Sequence, residues 1–271
     1  MLYDDDFFVF GQSEDFQFNS VKEITLDLLK SGIQHDIIEK SLGSILRNYA
    51  SLSKPLFRKS ADADFFKQSL WRINYFDSAN RDIRNSIIKE SEPISIGFLS
   101  EIAKTSTKTD FFTQVTKLLN GKGIFIVLVN AIAGTKIDGA VSRTPDDRIC
   151  IGMSLRYDRL DYFYFTLLHE LAHICLHDDL LKNGIISDED EGGEIVELEA
   201  NRFAKEAIVA PSSYRTLSSK RSLNKSHLLS EADKLNIHPA LLAGIIRRDL
   251  NRYDVFSDIV NEVSVRGKIY G

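Results

Sequence analysis

Residues 160–177 read LDYFYFTLLHELAHICLH, and within them His169-Glu170-Leu171-Ala172-His173 has the spacing HExxH. Residues four apart on a helix lie one above the other, so both imidazoles can face a single metal ion. Glu170 sits one position round, where it can take a proton from a water held by that ion. Three fixed residues are few. Chance alone yields the pattern in on the order of one in a hundred chains of this length, so the surroundings must decide. Leu160, Tyr164, Leu167, Leu168, Leu171, Ile174 and Cys175 recur at helical spacing as one apolar stripe, with His169 and His173 roughly opposite. Phe163, Phe165 and Ala172 keep most of the remaining surface apolar. The stretch predicts a buried helix carrying two histidines inward. Two buried imidazoles and a glutamate need polar partners, which a plain core helix does not supply.

A hydrolytic metal site needs a third protein ligand and an open position for water. His177 lies four residues beyond His173, but three imidazoles at steps of four would span about 12 Å along a straight helix, too far for one tetrahedral ion. His177 is therefore expected to support the site from outside the ligand set or to end the helix. The better source is the segment Glu194–Ala210, EIVELEANRFAKEAIVA, which Pro211 closes. Val196, Ala200, Phe203, Ala204 and Ala207 form its apolar stripe. Glu197 and Asn201, four apart, share one border of that stripe and Glu199 lies on the other. Glu197 is the preferred third ligand with Asn201 as its hydrogen-bonding support. Glu194 and Glu199 remain as alternatives.

The run ICIGMSLRYDRLDYFYFTLLHELAHICLH (149–177), followed by ISDEDEGGEIVELEANRFAKEAIVAP (186–211), resembles the ImmA/IrrE family of metallopeptidase-like proteins. GIFIVLVNAIAGTKIDGAVSR, from Gly123, is similar to that family's strand and the loop before its hairpin. The stretch from Pro55-Leu56-Phe57-Arg58-Lys59-Ser60 through Trp71, and Ile237-His238-Pro239-Ala240-Leu241-Leu242-Ala243-Gly244, resemble flanking segments of its larger members. The resemblance implies a gluzincin-like site of the thermolysin type. In it His169, His173 and Glu197 bind Zn2+, Glu170 is the general base and Asn201 stands at the supporting position. It also implies a protein substrate with a regulatory role. Many larger members begin with a helix-turn-helix domain, whereas residues 1–53 here start with Asp4, Asp5 and Asp6 and carry no such pattern. A separately encoded repressor or antitoxin-like protein is thus the expected partner, and direct nucleic-acid binding is not.

Composition agrees. The chain has 271 residues, 43% hydrophobic and 27% charged, which suits a globular protein with a sizeable core. A net charge of −5 argues against broad binding to a phosphate backbone, although Arg247, Arg248 and Arg252 could form a local basic patch. Cys150 and Cys175 are too few for a disulfide framework and are expected to be reduced thiols. No apolar run is long enough to span a bilayer. The FFVF run after three aspartates has the wrong preceding charge for a secretory signal. A cytoplasmic protein is expected.

Periodicity predicts an α+β fold, mostly helical with a small mixed or antiparallel sheet: a zincin-like core flanked by helical regions. Helices are expected at Val21–Leu29, Asp36–Tyr49, Ala63–Phe76, Ala79–Lys89, Ile96–Lys104, Asp110–Leu119, Lys225–Leu235 and Pro239–Leu250. Ile124–Val129 reads as a central strand. Gly139–Arg143 and Arg148–Met153 read as a hairpin about the turn Thr144-Pro145-Asp146-Asp147, and either could offer an edge to an extended peptide. Asp188-Glu189-Asp190-Glu191 reads as a solvated acidic loop. Residues 1–92 are expected to form an N-terminal helical region and 93–271 the metallopeptidase-like domain. Tyr157, Tyr162 and Tyr164 are expected in the core, and no side chain stands out as an oxyanion stabiliser. The functional expectation is a zinc-dependent endopeptidase that cleaves a regulatory protein in a stress, phage or toxin–antitoxin setting. The alternative is a zinc-containing interaction protein of the same fold with little proteolysis.

Overall fold

The computed structural model describes residues 71, 74, 75, 78, 91–132, 136–143, 148–181 and 193–271. The chain divides into two compact units, Met1–Asn74 and Tyr75–Gly271. Trp71 and Asn74 belong to the first and every other described residue to the second. The helices expected at Val21–Leu29, Asp36–Tyr49 and Ala79–Lys89, most of Ala63–Phe76, the turn 144–147 and the acidic loop 188–191 lie outside the described residues.

The fold is α+β. Helix α1 (Ile96–Lys104) leads through a 3-10 turn (Thr105–Thr107) into α2 (Phe111–Asn120). Three strands follow: β1 (Ile124–Leu128), β2 (Gly139–Arg143) and β3 (Ile149–Met153). Then come α3 (Leu160–Leu176), the short α4 (Asp178–Leu181) and α5 (Gly193–Ile208). The chain ends in α6 (Pro211–Thr216), α7 (Ser218–Ser222), α8 (Lys225–Leu235), α9 (Pro239–Leu250), α10 (Ser257–Val260) and α11 (Val265–Tyr270). Pro211 both ends α5 and opens α6 at its first turn, where a missing N–H costs nothing. Asn224 caps α8 by accepting from the amides of Ser226 and His227, and Asn236 closes it in a left-handed conformation.

The sheet is mixed, in the order β1-β3-β2. β3 runs parallel to β1, with Ile126 beside Ile151, and antiparallel to β2, with Val141 beside Ile151. This corrects one expectation. β1 is an outer strand among the described residues, and β3, buried at all five positions, is the central one. An unbroken apolar run reports burial of both faces rather than the number of paired neighbours. α2 covers β1, which is why Ile124–Leu128 reads as continuous. It follows that β3, paired on both sides, cannot take up a further strand, whereas β2 has one side without a strand partner among the described residues.

α3 is the axis of the core. It packs most extensively on α5 and also on α9, β2, α1 and β3. Leu167, Leu168, Leu171 and Ala172 are fully inaccessible, and each buried leucine contributes about 1.5–3 kcal/mol through loss of apolar surface. Two polar groups that α3 carries into this core, Tyr164 and Asp161, are satisfied within it. The Tyr164 hydroxyl lies 2.7 Å from Thr105 Oγ1, which donates to the carbonyl of Ile102. Asp161, 7% exposed, takes a two-pronged contact from Arg159 at 3.0 and 2.5 Å. Tyr157 and Tyr162 depart from expectation. They stack on each other at 4.1 Å between ring centres, and Tyr157 is exposed while Tyr162 is half-buried. Cys150 is buried, Cys175 half-buried, and neither forms a disulfide. No helix among the described residues is long and apolar enough to cross a membrane.

Candidate metal centre

Helix α3 is amphipathic in an unusual sense: its polar positions face inward. His169, Glu170 and His173 are 6%, 2% and 1% exposed. Isolated imidazoles at such depth would be costly, so the neighbouring helix has to answer them. It does so through Glu197 on α5. One oxygen of this carboxylate lies 3.1 Å from His169 Nε2 and the other 3.4 Å from His173 Nε2. The two Nε2 atoms are 3.0 Å apart. Among the described residues these three side chains form the group able to hold a metal ion, their ligand atoms all lying within 4.8 Å of one another. A tetrahedral ion with bonds of about 2.0–2.2 Å separates its ligands by roughly 3.3–3.6 Å, so the donor set fits with little rearrangement.

The electrostatics suit a cation. Burial favours the protonated Glu197 carboxyl, but hydrogen bonding and charge from His169 and His173 outweigh it and hold the group at about 2. It is ionised at neutral pH. Burial, with the nearby His169 and His177 rings, pushes His173 below its ordinary value, so its neutral, ligating form prevails even though Glu197 opposes the shift.

His177 is the C-cap residue of α3, with φ −128° and ψ 31°. Leaving the helical path lets its ring turn back, and its Nδ1 lies 3.0 Å from Nδ1 of His173. Its Nε2 lies 3.2 Å from Glu199. The protons along this chain follow from the end that faces the ligand cluster. If Nε2 of His173 is a lone pair, Nδ1 carries the hydrogen and donates to His177, whose own Nε2–H donates to the Glu199 carboxylate. Glu199, an alternative ligand on spacing alone, is thus the partner of His177. Of Glu194 the side chain lies outside the described set. Asn201 is half-buried one turn beyond Glu197, and no hydrogen bond joins it to His169, His173 or Glu197 among the described residues.

Gly139, the first residue of β2, is the least obvious member of the site. A Cβ there would lie 2.6 Å from Glu170 Oε1 and 2.8 Å from Thr166 Cγ2. The strand therefore approaches α3 only because residue 139 has no side chain, and its backbone becomes a wall against the Glu170 carboxylate. Asp138, immediately before it, holds Arg156 at 2.7 and 2.9 Å. The far end of β2 is tied down by an ion pair between Arg143 and Asp178. A glycine opening a strand predicts close approach but not its target, so the sequence reading missed this contact.

The basic patch considered from sequence is mostly spoken for. Arg247 is buried and donates to the carbonyl of Val255 and to Ser257 Oγ, and Arg252 pairs with Asp254. Of the three, Arg248 is exposed with no ion pair among the described residues.

A buried pair of histidines on one helix, a carboxylate from the next, and a second carboxylate inside the same helical turn define a metallopeptidase-like protein. Residues 125–221, from β1 through α7, match the family described as the IrrE N-terminal-like domain, peptidase family M78. Over that segment the chain resembles the ImmA/IrrE-type family. No curated protein matches it in sequence.

Proposed function

We propose that the protein is a zinc-dependent endopeptidase whose substrate is a regulatory protein, a separately encoded repressor or antitoxin-like partner. The observation that carries this reading is the convergence of His169, His173 and Glu197 with Glu170 buried beside them. Two imidazoles and one carboxylate at these separations suit Zn2+, which when bound would act as a Lewis acid toward a peptide carbonyl and toward water.

The chain's own groups supply the remainder. Glu170 accepts the proton of the attacking water and returns it to the departing amine. The backbone of Gly139 confines that carboxylate to one side. β2, which has one side without a strand partner among the described residues, is the edge that an extended substrate would join through main-chain hydrogen bonds, fixing the direction of the scissile segment. Glu199 and His177 set the tautomer and ring orientation of His173. An intact Glu170 favours catalysis over a purely binding role, for which the base has no use.

Elemental analysis of the purified protein tests the site. About one zinc per chain is expected in the wild type, falling sharply in Glu197→Ala. In cells, Glu170→Gln should abolish cleavage of the partner while retaining zinc. If Glu170→Gln leaves the cellular phenotype intact and loss of His169 removes it, the protein acts by binding. A wild type that takes up no metal when zinc is offered would sink the peptidase reading.

A further inference from the structure

Up to His173, α3 shows solvent a single stripe. Between Leu160 and His173 the half-buried positions are Tyr162, Phe165 and Thr166, all others being buried. At 3.6 residues per turn these three share a sector of roughly 100° with His169 and His173. The accessible stripe therefore ends on the ligand cluster, and whatever reaches the cluster along α3 passes over it.

Arg248 lies above this stripe. It is exposed, on the last turn of α9, and its guanidinium carbon sits 3.7 Å from the centre of the Phe165 ring. Gly244 packs against Asp161, and four residues on in each helix Arg248 packs against Phe165. Successive turns of α9 thus follow successive turns of α3 in the same direction. A Cβ at Gly244 would come within 2.7 Å of Asp161, so this approach depends on the glycine.

The neighbouring arginines are neutralised. Arg156 stacks on Tyr157 and is bound by Asp138, and Arg159 stacks on Tyr162 and is bound by Asp161. No hydrogen bond or ion pair joins Arg248 to a protein group among the described residues. Stacking on an aromatic face leaves the N–H edge of a guanidinium free and fixes its plane. Such an edge is matched to a carboxylate, which it grips through two parallel hydrogen bonds.

We propose that Arg248, seated on Phe165, is a specificity-determining residue that reads an acidic side chain of the polypeptide substrate. Phe165 precedes His169 by four residues, about 6 Å along the helix axis. That is the span of about two residues of extended chain, so the Asp or Glu lies two or three positions from the bond that is cut. α9 falls outside the segment 125–221 that matches the family. The selective element is therefore contributed by a part of the chain beyond the shared hydrolytic core. The inference rests on the peptidase reading for its substrate, and its test separates the two.

A proteome-derived library of C-terminally amidated peptides is incubated with the zinc-loaded wild type, Arg248→Ala and Arg248→Glu, and cut sites are mapped by mass spectrometry. The wild type should enrich Asp and Glu at one fixed position. In Arg248→Ala the ratio of cutting at acidic peptides to matched Asn and Gln peptides should fall at least about tenfold, and Arg248→Glu should turn the preference to Lys and Arg. In parallel, Glu170→Gln and Glu170→Gln/Arg248→Ala proteins are used to capture the same peptides. Cutting with identical profiles in wild type and Arg248→Ala overturns the proposal and keeps the peptidase reading. Arg248-dependent capture of acidic peptides with no cutting by any variant upholds the subsite and overturns the peptidase reading. Free-carboxylate peptides that bind while amidated ones do not would overturn the side-chain assignment in favour of a chain terminus.

Discussion

At the scale of single residues, the centre contains two kinds of dependence that substitutions can separate. Gly139 bears on Glu170 and not on the ligand cluster. In Gly139→Ala the new methyl must displace the Glu170 carboxylate or the strand. Such overpacking costs about 1–3 kcal/mol of stability, and a displaced base typically loses on the order of a hundredfold in turnover. Zinc content should stay near that of the wild type. Glu199→Gln acts in the reverse order. It leaves Glu170 untouched but weakens the acceptor at the end of the His177–His173 chain, so zinc affinity measured by chelator competition should fall about 10–100-fold. Turnover at saturating zinc should change far less. If both variants lose metal equally, the division of roles drawn from Gly139 and Glu199 is wrong.

The elements show how far local sequence determines local structure. Ile96–Lys104, Gly139–Arg143, Lys225–Leu235 and Pro239–Leu250 are bounded as the periodicity and caps indicate, because glycine, asparagine and proline act locally. The rank of β1 in the sheet and the surface stack of Tyr157 on Tyr162 were not legible, since both depend on which distant element arrives beside them. The cap of α9 carries a testable consequence. His238 accepts from the amide of Ala240 through Nδ1, which requires the neutral ring. Burial holds its pKa below the ordinary 6.5, with Glu262 opposing. The unfolded chain therefore takes up a proton first as pH falls. The contribution of this cap is complete above pH 6.5 and declines as pH drops below 6.5 toward the folded-state value. Asn at this position caps without titrating. Urea midpoints at pH 7.5 and 5.5 should differ less in His238→Asn than in the wild type, by up to about 1 kcal/mol. An equal difference in both would remove His238 as the cause.

Across the whole molecule, the candidate ligands come from α3 and α5, two helices that share the largest interface of the described residues. A metal held by both helices binds the folded state and not the unfolded one. At a free concentration a hundred times the dissociation constant it adds about 2.7 kcal/mol, or about 5–10 °C in melting temperature for a unit of this size. Chelation should lower the melting temperature by that amount, and Glu197→Ala should already melt at the lower value and ignore the chelator. That His169, Glu170 and His173 lie together within one buried helix could be read from five residues of sequence, since a helix fixes their relation. Glu197 could be reached by helical spacing with its rivals still open. The approach of Gly139 to Glu170, the contact of Glu199 with His177 and the seat of Arg248 on Phe165 could not, because each is made across an interface that only the packing of α3 against β2, α5 and α9 creates.

Under the proposed function, the five-residue length of β2, clamped at one end by Arg143 and Asp178, would set a further condition on any protein that is cut. A strand that short aligns only about five residues, some 17 Å of fully stretched chain. A segment already folded into its own helix or sheet cannot lie down beside it. Cutting would then proceed only during the moments when the target opens locally, at a rate that follows how often it does so. Whatever steadies that segment in the target, such as its own ligand or its own dimer, would protect it. Under the proposed function, the timing of cleavage would then follow the opening of the target.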